Sequence, residues 1–456
     1  MAKVFYRNPL QNYPLVVRGE GVYLYDADGK QYLDGSGGAA ISCLGHGNRV
    51  VIDAIKSQVE RLAFAHTMFF TNQPQEELAQ KLAARFDKTR SDEGRSEEAR
   101  SDVDGARVYF LCGGSEANET AIKMARQYWL SRGCDQKYLV ISRRQSYHGN
   151  TLGALSVSGN PARRKVYGPL LHDWPSIDPC YAYRHRRADE TEREYGARVA
   201  GALETAILSA GAENVSAFIA EPIVGATLGA VAAVEGYFQT IRDICDRHRV
   251  LLIMDEVMAG CGRSGTYFAF EQEGIRPDIV TLAKSLGGGY QPIGAVITQG
   301  FIHRGIVDAF GAFAHGHSYV GHAVVAAAGL AVMQVLEDEQ LLEKVNSTGK
   351  LLTNSLREVF AEHPHIGDIR GRGLLIGIEL VENRETKTGI RKELGLPASL
   401  RLAAMQNGLI CYPGGGTVDG EDGAHILLAP PFIYQPQHID ELVEKLQKTL
   451  AQVRFT

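Results

Sequence analysis

The sequence predicts an α/β fold: a mainly parallel sheet flanked by helices, joined to a smaller α/β unit. Three observations carry this. Between residue 107 and about 300, short apolar runs alternate with amphipathic helical stretches. Runs without polar alternation mark strands buried on both faces, as in parallel sheets covered by helices. After about residue 325 the alternation gives way to a long helix and a glycine-punctuated apolar strand. Finally, 456 residues with 45% apolar and 22% charged side chains suit a large core, and length alone suggests two or three domains at roughly 150 residues each.

The elements follow in chain order. Val22-Tyr-Leu-Tyr-Asp-Ala-Asp-Gly-Lys-Gln-Tyr-Leu-Asp predicts two short strands joined by an Asp-Gly turn. Val50 to Phe64 and Gln75 to Phe86 have helical periodicity. The charged run 87–106, mixed in sign and nearly free of large apolar groups, is expected as a solvated loop or a charged helix extension. Arg107-Val-Tyr-Phe-Leu-Cys is a strand that leads through two glycines into a helix from about Ser115 to Ser131. Further strands are expected at Tyr138–Ser142, at Ser216–Pro222 (stopped by the proline), at Val250–Val257 and at Asp278–Lys284. A helix around Tyr237 to His248 precedes the third of these. The alanine-rich stretch Ala323 to Leu336 predicts a buried helix, too short for the ~20 residues of a membrane span. Ile369 to Leu380 is expected as one strand of the smaller unit, and Gln437 to Val453 as a helix.

Composition excludes several classes of function. A net charge of −5 gives no basic excess for nucleic acid or an anionic membrane surface. Seven cysteines, an odd number without a CxxC, suggest neither a disulfide framework nor a zinc site, and no metal is expected. The opening residues lack the apolar core of a signal peptide, so a reducing, cytoplasmic setting is expected.

Ligands of open parallel sheets bind at the carboxyl ends of strands. After the first strand come Gly113, Gly114 and Ser115 at a helix start. This is either an ordinary capped turn or an anion site built from backbone N–H groups and a hydroxyl. It is neither GxGxxG nor GxxxxGK[ST], which argues against the nucleotide folds. Tyr147-His-Gly follows the second strand and suits either packing or the lining of a flat ring. Asp255 ends a buried apolar strand, where an unpaired carboxylate is costly; it can cap a helix, bind a metal or pair with a cation. Lys284 ends the next strand, ahead of three glycines. It is either a surface lysine or a desolvated amine with nucleophilic character. Taken together, a phosphate pocket, a ring-sized aromatic, a lone aspartate and a nucleophilic lysine at successive strand ends meet the needs of one cofactor, pyridoxal 5'-phosphate (PLP).

The same residues resemble the class III aminotransferases, of fold type I among the PLP enzymes. The matching strings are Gly114-Ser-Glu-Ala-Asn-Glu, Tyr147-His-Gly, Glu221-Pro-Ile-Val-Gly, Asp255-Glu-Val-Met-Ala-Gly, Leu282-Ala-Lys-Ser-Leu-Gly-Gly-Gly-Tyr-Gln-Pro-Ile-Gly-Ala, His317-Ser-Tyr-Val-Gly-His and Arg370-Gly-Arg-Gly-Leu. They run in order over nearly the whole chain. The resemblance implies Lys284 as Schiff-base lysine and proton shuttle, with Asp255 on the pyridine nitrogen. Tyr147 and Val257 would pack on opposite ring faces, and Gly114 and Ser115 would bind the phosphate. His148 and Glu221 join the cofactor-binding set. Ser318 would reach the phosphate of a neighbouring subunit, in a homodimer with shared active sites. The implied organisation is 1–70 as the N-terminal part of the small domain and a linking segment, 71–325 as the large PLP-binding domain, and 326–456 as the C-terminal small domain.

The substrate pocket departs from ornithine- and aminobutyrate-type members. Where those place an arginine after the His-Gly pair, a gating glutamate after Glu-Pro, and an arginine before Pro-Pro, this chain has Asn150, Ala226 and Leu427. Some omega-transaminases carry a mobile arginine after Gly-Leu-Ile; here that residue is Tyr412. Arg163, Arg164 and Arg372 remain as possible substitutes. Ala39 and Ala40 suggest a roomy site, with Phe69 and Phe70 either lining it from a partner subunit or simply packing at the interface. The leading expectation is an omega-transaminase that moves an amino group from an amine or omega-amino acid to a 2-oxo acid, pyruvate above all. An aminomutase or dialkylglycine-type decarboxylase on the same scaffold is the alternative, and a nucleotide-binding protein without PLP a more distant one.

Overall fold

The computed structural model describes residues 3–89 and 105–456. Most of the charged run, residues 90–104, lies outside them. At its near edge the helix Gln73–Lys88 ends, and Asp87 turns back to pair with Arg276 at 3.0 Å and to accept the Ala106 N–H at 3.1 Å.

Strands β1 (Val16–Glu20), β2 (Tyr23–Asp26) and β3 (Gln31–Asp34) form an antiparallel meander. Asp26 holds the β2–β3 turn by accepting the N–H groups of Asp28 and Lys30 at 3.1 and 2.8 Å. The two helices expected next are Arg49–Arg61 and Gln73–Lys88, each capped by an asparagine side chain.

The central sheet has seven strands. They are β4 (Arg107–Leu111), β5 (Leu139–Arg143), β6 (Ser176–Ile177), β7 (Val215–Ala220), β10 (Leu251–Asp255), β11 (Ile279–Leu282) and β12 (Gly294–Thr298), in the order β4-β12-β11-β10-β7-β5-β6. Two short strands, β8 (Ile223–Val224) and β9 (Val231–Ala232), make a separate hairpin after β7. Every residue of β7, β10 and β11 is buried, which is why these strands carry no polar alternation. The expected parallel sheet is correct for six strands. Strand β12 was not foreseen; it lies antiparallel between β11 and β4.

One expectation is corrected. Ile369 to Leu380 is not a single strand but the inner part of a hairpin, β13 (Ile366–Arg372) and β14 (Leu375–Asn383). The chain reverses at Gly373, which has φ +56° and lies where a Cβ would come within 2.6 Å of the Ser264 backbone. Strands β15 (Thr388–Gly389), β17 (Tyr412–Gly415) and β18 (Ala424–Leu428) complete this antiparallel sheet. Strand β16 (Leu409–Ile410) instead pairs in parallel with β3, so one sheet unites segments near the two ends of the chain. The buried helix Ala323–Asp338 and the closing helix Pro436–Ala451 stand where the periodicity puts them. No helix among the described residues is long and apolar enough to cross a membrane.

Candidate active site

Sheet order decides which strand ends meet. Strands β11, β10 and β7 are parallel neighbours, so Lys284, Asp255 and Glu221 emerge side by side. The loop after β5 brings Tyr147 and His148, and the helix Gly114–Ser131 starts just past β4. Between them lies a cavity of about 310 Å³. Gly114, Ser115, Tyr147, His148, Glu221, Asp255, Val257 and Lys284 all line it. Of the catalytic and cofactor-binding residues expected from sequence, only Ser318 is absent from its wall; it stands exposed on a loop of its own chain.

Asp255 is buried and tightly held. Its Oδ2 accepts the Asn118 side-chain amide at 2.8 Å and lies 2.7 Å from His148 Nδ1, while Oδ1 accepts the Val257 N–H at 3.0 Å. Asn118 is fixed in turn by Thr281, which donates to its Oδ1 at 2.8 Å. The neighbouring Glu256 points the other way. It accepts the N–H groups of Ala269 and Phe270 at 2.8 and 2.7 Å, and burial pushes its carboxyl up to about 8. One carboxylate of the Asp-Glu pair thus serves the cavity and the other pins a loop.

Lys284 has φ +47°, a backbone conformation unusual outside glycine. Burial lowers its ammonium from 10.5 to about 8, against the opposing pull of Asp255 and Glu221. Its ammonium makes no hydrogen bond or ion pair among the described residues. Glu221 accepts the Tyr147 and Gly225 N–H groups at 3.0 and 3.3 Å, and burial raises its carboxyl pKa. It therefore sets the position of the Tyr147 loop from below.

The helix start is shaped for close approach. A Cβ on Gly114 would sit 2.7 Å from Val257, and Gly149, at φ +144°, would place one 2.7 Å from the Ser115 hydroxyl. That hydroxyl accepts the Asn150 N–H at 3.0 Å, leaving its own proton free to donate. Residues missed from the sequence include Asn118, Ile41, Cys112 and Met258, all on the cavity wall. Asn118 sits inside one of the matching strings, one helical turn after Gly114, and that spacing was the available signal.

Of the absent carboxylate-binding groups, Ala226 lines the cavity, and Leu427 and Tyr412 pack with it in one apolar cluster. Arg164 is committed to the carbonyls of Leu155, Ser156 and Ser158, and Arg372 to Glu273 and the Ala233 carbonyl. The arrangement fits PLP. It offers a buried carboxylate held by donors on both oxygens, an unpartnered amine of lowered pKa, and free N–H groups at a helix N-terminus.

Comparison with known proteins points the same way. The family model for class III aminotransferases matches residues 5–450. An aminotransferase of Schizosaccharomyces pombe is 43% identical over 449 residues, covering 98% of this chain and 95% of that protein. A putrescine–pyruvate aminotransferase of Pseudomonas aeruginosa is 34% identical, over 96% and 90% of the two chains. The crystal structure of an (S)-enantioselective omega-transaminase from Thermomicrobium roseum superposes with a TM-score of 0.87 at 34% identity, over 98% and 96%. With this match along nearly its whole length, the chain belongs to the class III aminotransferases, PLP-dependent enzymes of fold type I.

Proposed function

We propose that the enzyme moves an amino group from an amine or omega-amino acid to a short 2-oxo acid, with pyruvate the preferred acceptor. The observation that carries this is Ala226 on the cavity wall, packed in one apolar cluster with Leu427 and Tyr412, where a second substrate carboxylate would lie without a cation. Desolvating an unpaired carboxylate costs several kcal/mol, whereas pyruvate presents only a methyl group there. The relation to a putrescine–pyruvate enzyme supports the same choice.

When bound, PLP supplies an aldehyde carbon for amino groups and a ring that withdraws negative charge. The chain's residues do the rest. Lys284 holds the cofactor and moves a proton at Nζ. Asp255, held by the Asn118 amide and the Val257 N–H, would pair with the ring nitrogen. His148 and Asn118 fix the angle of that carboxylate. Tyr147 and Val257 would pack against the ring, and Gly114 and Ser115 would bind the phosphate. Ser318 completes the phosphate site from a second copy of the chain, in a homodimer to which exposed Met68, Phe69 and Phe70 contribute apolar surface. Seven free cysteines suit the reducing cytoplasm.

The test is a pair of half-reactions of the aminated enzyme, one with pyruvate and one with 2-oxoglutarate. Pyruvate should show the larger specificity constant; the reverse order refutes the acceptor assignment. Carbon dioxide release, or turnover without any second substrate, would favour the decarboxylase or mutase reading instead.

A further inference from the structure

We propose that Arg163 is the residue that recognises the carboxylate of the 2-oxo acid, approaching from the rim of the cavity across the ring of Tyr147. The inference rests on the transaminase reading above. Among the described residues lining the cavity, Lys284 is the only lysine or arginine, and it is committed to the cofactor. A 2-oxo acid that enters with its carboxylate therefore needs a cation from outside the wall. Arg164 and Arg372 are already occupied by carbonyls and by Glu273. Arg263 is buried, donates to the carbonyls of Leu374 and Pro430, and does not line the cavity.

Arg163 differs from all three. Its guanidinium carbon lies 4.5 Å from the centroid of the Tyr147 ring, and that ring lines the cavity with Lys284. No carboxylate or carbonyl among the described residues takes up its guanidinium; its side chain is exposed and held only by the aromatic face. The short helix Pro161–Lys165 places it there, fixed by the Asn160 side chain, which accepts the Arg163 N–H at 3.1 Å. A second cation, Arg7, acts on the same ring: the fields of Arg163 and Arg7 both oppose the rise that burial imposes on the Tyr147 phenol. Arg163 thus sets a positive charge beside a ring of the cavity wall.

A stacked guanidinium suits a site that must take two kinds of substrate. It rests on the aromatic face while an uncharged amine tail occupies the cavity, and its fork of donors is available when a carboxylate arrives. The selectivity for a 2-oxo acid then comes from a residue that need not be withdrawn from the pocket to admit an amine.

The experiment uses the holoenzyme in its aminated form, reacted in single turnovers with pyruvate and with butanal, an acceptor that carries no carboxylate. In Arg163→Gln the specificity constant for pyruvate should fall about 10- to 100-fold, the range expected for a lost charge-assisted contact. The loss should lie in the concentration dependence rather than the limiting rate, and the butanal value should fall far less. Arg163→Lys, which keeps the charge, should recover part of the loss. Equal losses for pyruvate and butanal, or no loss for either, would overturn the assignment of Arg163. A wild-type enzyme that binds PLP but accepts no 2-oxo acid would overturn the transaminase reading itself, a result visible before any variant is made.

Discussion

At the scale of single residues, Lys284 and Asp255 line one cavity and lend themselves to separate tests. Burial lowers the lysine to about 8, so its neutral fraction becomes sizeable at mildly alkaline pH. Addition of PLP to the apoenzyme requires that neutral amine. The rate of reconstitution should therefore rise with pH and level off above about 8, well below the 10.5 of an ordinary lysine; stopped-flow absorbance would follow it. Lys284→Ala should lose the visible band of the lysine-bound cofactor, and near-normal turnover in that variant would refute its role. Asp255 is held in place by hydrogen bonds to both carboxylate oxygens. Asparagine at 255 cannot keep the ring nitrogen protonated. Asp255→Asn should still bind PLP, yet slow the chemical step by a hundredfold or more, at ~1.4 kcal/mol per tenfold. Normal turnover in the folded fraction would make Asp255 structural.

At the scale of elements, the loop after β5 joins cofactor and substrate recognition. It is held on the helix Gly114–Ser131 by Glu119, which accepts the Thr151 hydroxyl at 2.6 Å and the Ala154 N–H at 3.1 Å. Gly149→Ala would drive a Cβ into Ser115 at a backbone angle that alanine avoids. Strain of about 1–3 kcal/mol should follow, seen as weaker PLP retention together with a lower melting temperature; unchanged retention would show that the loop yields freely. The sequence made this loop visible through Tyr147-His-Gly, and it made β7, β10 and β11 visible because burial on both faces leaves continuous apolar runs. It concealed β12, since Gly294-Ala-Val-Ile-Thr follows a glycine- and proline-rich stretch and pairing direction leaves no mark on composition. The β13–β14 reversal was hidden likewise: Arg370-Gly-Arg-Gly interrupts the apolar pattern no more than a bulge would. Asn118 escaped because a polar residue on a helix usually faces water; only the fold shows it beneath Asp255.

At the scale of the whole molecule, the site of one chain lacks a hydroxyl that the family resemblance assigns to its neighbour. Ser318→Ala should release PLP on dilution about tenfold more readily, as expected for one lost charge-assisted hydrogen bond. Co-expressed Lys284→Ala and Ser318→Ala chains give a sharper result. If Ser318 serves the partner's site, each hybrid dimer holds one site with both residues intact, and its PLP retention should be normal. If Ser318 acts within its own chain, the hybrid gains nothing over its parents.

The pairing of β3 with β16 has a consequence for how the protein is made. Leu33 and Asp34 find their partners in Leu409 and Ile410, almost at the other end of the chain. A ribosome adding about 5–20 residues per second needs roughly 20 to 75 seconds to cover that interval. Throughout it the nascent meander presents an unpaired edge beside Tyr32 and Leu33, both buried in the finished enzyme. The edge closes only once Leu409 and Ile410 have been made. Chains stalled before residue 409 should therefore recruit chaperones and be cut readily by protease within the first 40 residues, while chains released at full length should not.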